Sequence, residues 1–195
     1  MPYIPPVTQA FMLACVAAFF GFQLLPPSFE LMFALWPLGT GRFMPWQPIS
    51  YAFLHGDFTH LFFNMLGLFM FGSELERVWG PKRYLQVLVA SALSAAAAQI
   101  AFTLLIGSYA PTVGASGAIY GLLLSFGMLF PNRIITPLIP PIPMKAKYFV
   151  ALFGAIELLM GLSGRSGIAH FAHLGGMLGA WLLIKYWRSG GPRRR

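Results

Sequence analysis

Long apolar segments without a single charged residue are the feature that most constrains this chain. Val7–Leu25 is one such segment, and Tyr84–Ile106 is another, with neither Gly nor Pro inside it. Each is long enough to cross a hydrocarbon layer of about 30 Å, which takes about 20 helical residues. Charged residues make up only 9% of the sequence, far below the share typical of a soluble domain. The sequence therefore predicts an all-α membrane protein.

Further apolar segments predict a bundle of six transmembrane helices. The four additional spans are Phe58–Ser73, Ser116–Phe130, Tyr148–Leu162 and Gly167–Tyr186. Some are short, so buried or re-entrant segments are an alternative. Pro26–His55 is also apolar, but its prolines and glycines break any long helix. We expect it to form an interfacial first loop, with Trp36 and Trp46 as anchors at the headgroup level, within a single transmembrane domain over residues 1–195.

The distribution of basic residues predicts the orientation of this bundle. All but two of the thirteen fall in loops and a tail that lie on one side of the six-span arrangement, the exceptions being Arg42 and Arg165. Because cytoplasmic loops carry an excess of Lys and Arg, we expect a multi-pass protein of the cell (inner) membrane with both termini in the cytoplasm. The net charge of +8 then reflects topology and contact with anionic lipid, so we expect the lipid bilayer as a partner and no nucleic acid.

Three groups of polar or small residues lie inside the predicted spans, where a polar side chain is costly. They are Gly114, Ser116, Gly117 and Tyr120 in the fourth span, His60 and Asn64 in the second, and His170, His173 and Gly176 in the sixth. Taken singly, each has a structural alternative. Small residues are common where membrane helices pack together, and an intramembrane histidine can be a packing residue or a metal ligand.

The depth of these residues in the membrane brings the three groups together. At 1.5 Å per helical residue, Ser116, His60 and His173 each lie about 18–21 Å above the predicted cytoplasmic boundary. Spans four and six also carry small residues four positions apart, which let helix backbones approach closely. Those pairs are Gly117 with Gly121 and Gly176 with Ala180. A histidine base beside a serine activates it as a nucleophile, while His60 and Asn64 could direct N–H donors at a developing oxyanion.

With these motifs the sequence resembles the rhomboid family of intramembrane serine proteases. The matching motifs are GxSGxxY from Gly114 to Tyr120, HxxxN at His60 and Asn64, and the pattern around His173 that ends in Gly176. The resemblance covers all six predicted spans. It implies a serine endopeptidase that cleaves transmembrane segments of membrane proteins and uses neither cofactor nor metal. It leaves the oligomeric state open.

The resemblance also assigns roles to residues. Ser116 would be the nucleophile and His173 its base, in a dyad without an acid. His60, Asn64 and the Ser116 backbone N–H would bind the oxyanion, and Tyr120 would pack beneath the His173 ring. The supporting residues are Tyr120, Gly114, Gly117 and Gly176. One departure is Gln47, where the family often has Arg, and Arg42 is a candidate substitute for it.

The acidic residues fit such a dyad, because none has an obvious place behind His173. Asp57 is expected to cap the second span. His170 is expected to be structural, since it lies about one turn above the level of Ser116. Glu157 stands in the middle of the fifth span, where an acid is a functional candidate by default, with pairing to a neighbouring polar group as the alternative.

Two other function classes compete with the protease. A transporter could relay protons through Glu157 and the histidines, but this leaves the Ser-Gly motif and the shared depth unexplained. A relative that binds membrane clients without cleaving them normally lacks the serine or the histidine, and both are present here.

Overall fold

The computed structural model describes residues 3–138, 140–163 and 169–190. Over these residues the chain is mainly helical, with almost no strand, which confirms the predicted all-α class. The helices are α1 (Pro6–Phe22), α2 (Pro27–Phe33), α3 (Gln47–Ser50), α4 (Phe58–Gly67), α5 (Ser73–Ile106), α6 (Ser116–Leu129), α7 (Ala146–Ser163) and α8 (His170–Arg188). Two short strands, β1 (Ile134–Ile135) and β2 (Met144–Lys145), pair antiparallel between α6 and α7. The predicted start of the sixth span at Gly167, and Arg165, lie outside the described residues.

The second and third predicted spans form one long helical path with a break inside it. A π-helical segment, Leu68–Gly72, joins α4 to α5 without interrupting the helix. The path turns at Gly80, whose φ of +74° suits glycine and few other residues, and Pro81 follows immediately. The helix therefore continues past Ser73, the predicted end of the second span. Charged residues at a membrane edge do not by themselves end a helix.

Two described helical stretches are long and apolar enough to cross a membrane by length and composition. They are Phe58–Ile106 and Ala146–Ser163, while Pro6–Phe22 and Ser116–Leu129 are apolar but shorter. Large apolar side chains such as Leu13, Phe62 and Leu159 are exposed on the outer faces of their helices, as expected of surfaces that contact lipid. The number of spans beyond these two stretches is still a prediction.

Helices α5, α6 and α8 form the centre of the bundle, and small residues bring their backbones together. A Cβ atom on Gly176 would lie 2.7 Å from the carbonyl carbon of Gly117, and one on Gly121 would lie 2.8 Å from the carbonyl oxygen of Gly176. No side chain fits at these crossings, so the predicted close contact between the fourth and sixth spans is confirmed. Helix α7 lies outside this centre and buries only one narrow face.

The first loop is structured, as predicted, but its anchors differ from the prediction. Trp46 is 45% exposed, whereas Trp36 is only 7% exposed and packs inside the loop. Gln47 is completely buried. Its side-chain NH₂ group donates to the backbone carbonyls of Met32 and Arg42 at 3.2 and 3.0 Å. Its side-chain oxygen accepts from the backbone N–H of Trp36 at 3.2 Å. Gln47 therefore fastens the loop from within, while Arg42 stacks over the Trp36 ring at 4.8 Å.

Candidate active site

The loop before α6 presents Ser116 as the first residue of the helix. The backbone of this loop is fixed to the first loop by a reciprocal pair of hydrogen bonds between Thr112 and Leu35, and by Gly114 N–H donating to the Tyr51 carbonyl at 2.9 Å. Gly114 has a φ of +128°, and a Cβ there would lie 2.7 Å from the His60 ring. The backbone N–H of Ser116 belongs to the first helical turn, where amides have no acceptor within the helix.

The His173 ring lies directly beside the Ser116 hydroxyl. Nε2 of His173 is 2.7 Å from Oγ of Ser116, which is a hydrogen-bonding distance. The Tyr120 ring is stacked on the imidazole with centroids 4.2 Å apart and planes within 6° of parallel. The structure therefore brings together the predicted serine and histidine, with the predicted tyrosine against the ring.

His60 and Asn64 lie on α4 across from these residues. The Asp57 side chain accepts from the His60 N–H at 2.8 Å, so Asp57 is the predicted N-cap of this helix. Asn64 donates one amide hydrogen to the His60 carbonyl at 2.8 Å, which leaves the second hydrogen of that amide for another acceptor. The His55 ring packs edge-on against His60 at 5.1 Å. Burial above all, and the neighbouring His60, lower the pKa of His55 to about 4, as fits a neutral packing residue.

Glu157 lies behind His173, which corrects the expectation that no acid occupies this place. Oε2 of Glu157 is 2.8 Å from Nδ1 of His173 and 2.5 Å from Nδ1 of His170. The Tyr120 hydroxyl donates to Oε1 of the same carboxylate. The Nδ1–H of His173 is not aligned with Oε2, so this is a short polar contact and not an aligned hydrogen bond.

Sequence reasoning missed this contact although the signal was available. Glu157 lies ten residues after Lys147, which places it about 15 Å above the predicted cytoplasmic boundary, close to the level calculated for His173. The depth that groups the serine with the histidines therefore extends to this acid. His170, expected to be structural and remote from Ser116, lies against the same carboxylate.

The carboxylate and the two imidazoles also have the residue types of a metal site. The ligand atoms of Glu157, His170 and His173 all lie within 4.8 Å of one another. Two ligands that each lie about 2.0–2.1 Å from a tetrahedral zinc ion are separated by about 3.3 Å. The carboxylate oxygen is 2.5 and 2.8 Å from the two ring nitrogens, so the spacing matches direct contacts better than shared metal coordination.

A serine hydroxyl paired with a buried imidazole, inside an all-α bundle with apolar outer faces, is typical of a membrane-embedded serine protease. Comparison with known proteins agrees with this class. The family model described as "Rhomboid domain" matches residues 42–189. The chain therefore belongs to the rhomboid family, and it is a membrane protein of the rhomboid serine protease type.

Curated relatives carry the same family name. The chain is 34% identical over 154 residues to "Putative rhomboid protease YdcA" of Bacillus subtilis, covering 75% of this chain and 69% of the relative. It is 33% identical over 145 residues to "Rhomboid protein 1, mitochondrial" of Saccharomyces cerevisiae, covering 70% and 41%. It is 27% identical over 186 residues to "Rhomboid protease GlpG" of Yersinia pestis, covering 93% and 62%. The chain spans less than two thirds of the yeast and Yersinia proteins.

Proposed function

We propose that this chain is an intramembrane serine endopeptidase that cleaves transmembrane segments of other membrane proteins by a Ser116–His173 dyad. The observation that carries the proposal is the 2.7 Å separation between Oγ of Ser116 and Nε2 of His173, within a chain of the rhomboid family. A histidine at this distance is placed to accept the hydroxyl proton as the oxygen attacks.

The proposed reaction has two halves that use the same pair of residues. Oγ of Ser116 attacks the scissile carbonyl carbon while its proton moves to Nε2 of His173. The tetrahedral intermediate then collapses, the C–N bond breaks, and His173 returns the proton to the leaving amine. A water molecule attacks the resulting ester in the same way, with His173 as base, and releases the acid product and the free serine.

The oxyanion formed in both halves needs preorganised donors. We assign this role to the backbone N–H of Ser116, the second amide hydrogen of Asn64 and the ring of His60. The helix start supplies an unpaired N–H and a favourable dipole. His60 is close enough to the loop that only glycine fits at position 114, so its ring borders the space beside the nucleophile. Such donors act strongly in a site from which water is largely excluded.

The proposed membrane arrangement is a single domain of six spans over residues 1–195, with both termini in the cytoplasm. Substrate would enter from the lipid between α4 and α7. Helix α7 is peripheral, and near its N-terminal end Phe149 packs on Phe71, in the π-helical segment that follows α4, with ring centroids 6.4 Å apart. A transmembrane substrate that parts these two helices reaches the level of Ser116 without crossing water.

Labelling with a fluorophosphonate probe tests the function directly. The wild-type protein should become covalently labelled and cleave a transmembrane reporter, whereas Ser116→Ala should do neither while remaining folded. Ser125→Ala is the matched control, because Ser125 is also on α6 but is buried and donates to the Gly121 carbonyl. A proton-relay transporter or a non-cleaving relative would not react, so an unlabelled wild type, or cleavage by Ser116→Ala, would contradict the proposal.

A further inference from the structure

Helix α7 carries a buried carboxylate, although most of its other side chains are exposed. Glu157 is 5% exposed, whereas its neighbours Ile156, Leu158 and Leu159 are largely exposed. An acid at this depth is costly unless its charge is paired and its oxygens are hydrogen-bonded. The side chain therefore needs partners, and its position on the buried face of α7 directs it at α6 and α8.

Three side chains from these two helices surround the carboxylate. Tyr120 on α6 donates its hydroxyl proton to Oε1. His170 and His173 on α8 approach Oε2 with their Nδ1 atoms at 2.5 and 2.8 Å. Both oxygens are thus engaged. The same Tyr120 ring lies flat against the imidazole of His173, so one tyrosine positions both the acid and the base.

This arrangement determines how His173 can serve as a base. A neutral imidazole carries its proton on one nitrogen and a lone pair on the other. With a carboxylate at Nδ1, the favoured tautomer has the proton on Nδ1 and the lone pair on Nε2. Nε2 is the atom that lies 2.7 Å from Ser116 Oγ. The other tautomer would place a lone pair against the carboxylate and a proton against the hydroxyl, and it could not accept the serine proton.

The carboxylate also opposes the charge that develops during the reaction. When Nε2 takes the proton from Ser116, the imidazole becomes a cation whose Nδ1 is 2.8 Å from Oε2. Catalytic hydrogen bonds are commonly misaligned without substrate and become aligned in the reacting complex. The Nδ1–H of His173 is not aligned with the carboxylate, which is consistent with a hydrogen bond that becomes aligned as the positive charge forms.

We propose that Glu157 is a positioning residue of the active site, which fixes the tautomer and orientation of His173 and stabilises its protonated form. Tyr120 and His170 hold the carboxylate in place for this role. The inference rests on the proposed function and extends the Ser116–His173 pair to a relay in which the acid never touches substrate and does not itself take the proton.

Glu157→Gln tests this role, because it keeps the shape of the side chain and removes its charge. We expect kcat on a transmembrane reporter to fall by about 10²–10⁴-fold, by comparison with the loss of the acid in serine proteases. KM should change less than about twofold, since Glu157 does not contact substrate, and thermal unfolding should stay close to the wild type. Glu74→Gln is the matched control, as this glutamate pairs with Arg133 outside the site, and it should keep full activity.

Two further measurements separate positioning from a purely structural role. In protein labelled with ¹⁵N-histidine, the His173 signal should show the Nδ1–H tautomer in the wild type and lose it in Glu157→Gln. Tyr120→Phe keeps the stacked ring and removes the donated proton, so its kcat should fall less than that of Glu157→Gln. If Glu157→Gln does not fold, a kcat for Tyr120→Phe equal to the wild type, with an unchanged histidine spectrum, would overturn the inference.

The outcomes also distinguish this inference from the proposed function and from a metal site. If Ser116→Ala is inactive and a folded Glu157→Gln keeps kcat within about threefold of the wild type, the positioning role is wrong and the protease assignment stands. If Ser116→Ala still cleaves, the protease assignment itself fails. If the wild type carries one zinc ion that is lost in Glu157→Gln, and a chelator abolishes its activity, the cluster is a metal site and the inference is overturned.

Discussion

Replacing Gly176 with alanine would insert a methyl group where α6 and α8 are in backbone contact. The new Cβ would overlap the carbonyl oxygen of Gly117 and lie 2.7 Å from its carbonyl carbon. Non-bonded carbons pack at about 3.5–4.0 Å, so the carbon contact alone requires the two helices to separate locally by about 0.8 Å, and the overlap with the oxygen requires more. Overpacking of this kind costs about 1–3 kcal/mol of stability, which a bundle with a large core can tolerate.

The separation should act mainly on catalysis because the proposed catalytic pair lies beside this crossing. Ser116 immediately precedes Gly117, and His173 is one helical turn before Gly176. If about 0.8 Å of this separation reaches the catalytic pair, the distance between Oγ and Nε2 grows from 2.7 Å to about 3.5 Å, beyond the hydrogen-bond range. Misplacement by about 1 Å can cost on the order of 10²-fold in rate. We therefore expect kcat of Gly176→Ala to fall by about 10²-fold.

The rate of fluorophosphonate labelling and the kcat on a transmembrane reporter measure this loss in folded protein. Gly154→Ala on α7 is the matched control, since a Cβ there would lie 3.5 Å from Met177, an ordinary contact. It should keep near wild-type rates. A Gly176→Ala protein that labels and cleaves within about threefold of the wild type would refute the claim that this backbone crossing sets the geometry of the dyad.

Other substitutions test the remaining parts of the site. Asn64→Ala should lower kcat by about 10²–10³-fold if its amide is an oxyanion donor, and an unchanged rate would assign it a structural role. His173→Ala should be inactive in both labelling and cleavage, while His170→Ala, which removes one partner of the Glu157 carboxylate, should lower kcat but keep measurable activity; an inactive His170→Ala beside an active His173→Ala would identify His170 as the base. A complete crosslink between α4 and α7 should block cleavage of transmembrane substrates, and cleavage that survives it would place the entry route elsewhere.

Local chemistry explains why much of the fold was predictable. An apolar run without charge has few stable options in lipid other than a helix, and Asp57 marks a helix start because its side chain satisfies a free N–H. The second span was predicted to end at Ser73, where charges begin, but the helix itself continues past that residue. The break is instead at Gly80, before Pro81, and that Gly-Pro pair is a stronger signal than the edge of an apolar run.

The candidate active site was predictable where a motif fixes the neighbours of a residue, and not where the rotation of a helix about its axis decides which side chains face the site. Ser116 and His173 lie on helices whose small residues mark the contact face. The composition of α7 does not distinguish its contact face from its lipid face, because lipid-facing and core-facing positions are equally apolar in a membrane. Only the structure shows that Glu157 shares the buried face with Val150 and Gly161. The face of α7 that meets α8 could therefore not be read from hydropathy.

The position of Glu157 constrains how α7 can move to admit substrate. If the whole helix swung away from the bundle, the carboxylate would lose Tyr120, His170 and His173 together and face lipid without partners, which is costly. We therefore expect α7 to pivot about the level of Glu157, opening against α4 while its contact with α8 is kept. A short bifunctional thiol reagent should link Gly154→Cys on α7 to Met177→Cys on α8, because the end of the Met177 side chain reaches to 3.5 Å from a Cβ at position 154. This crosslink should permit cleavage that a crosslink to α4 prevents. Loss of cleavage with the α7–α8 crosslink would mean that the whole helix must leave its place.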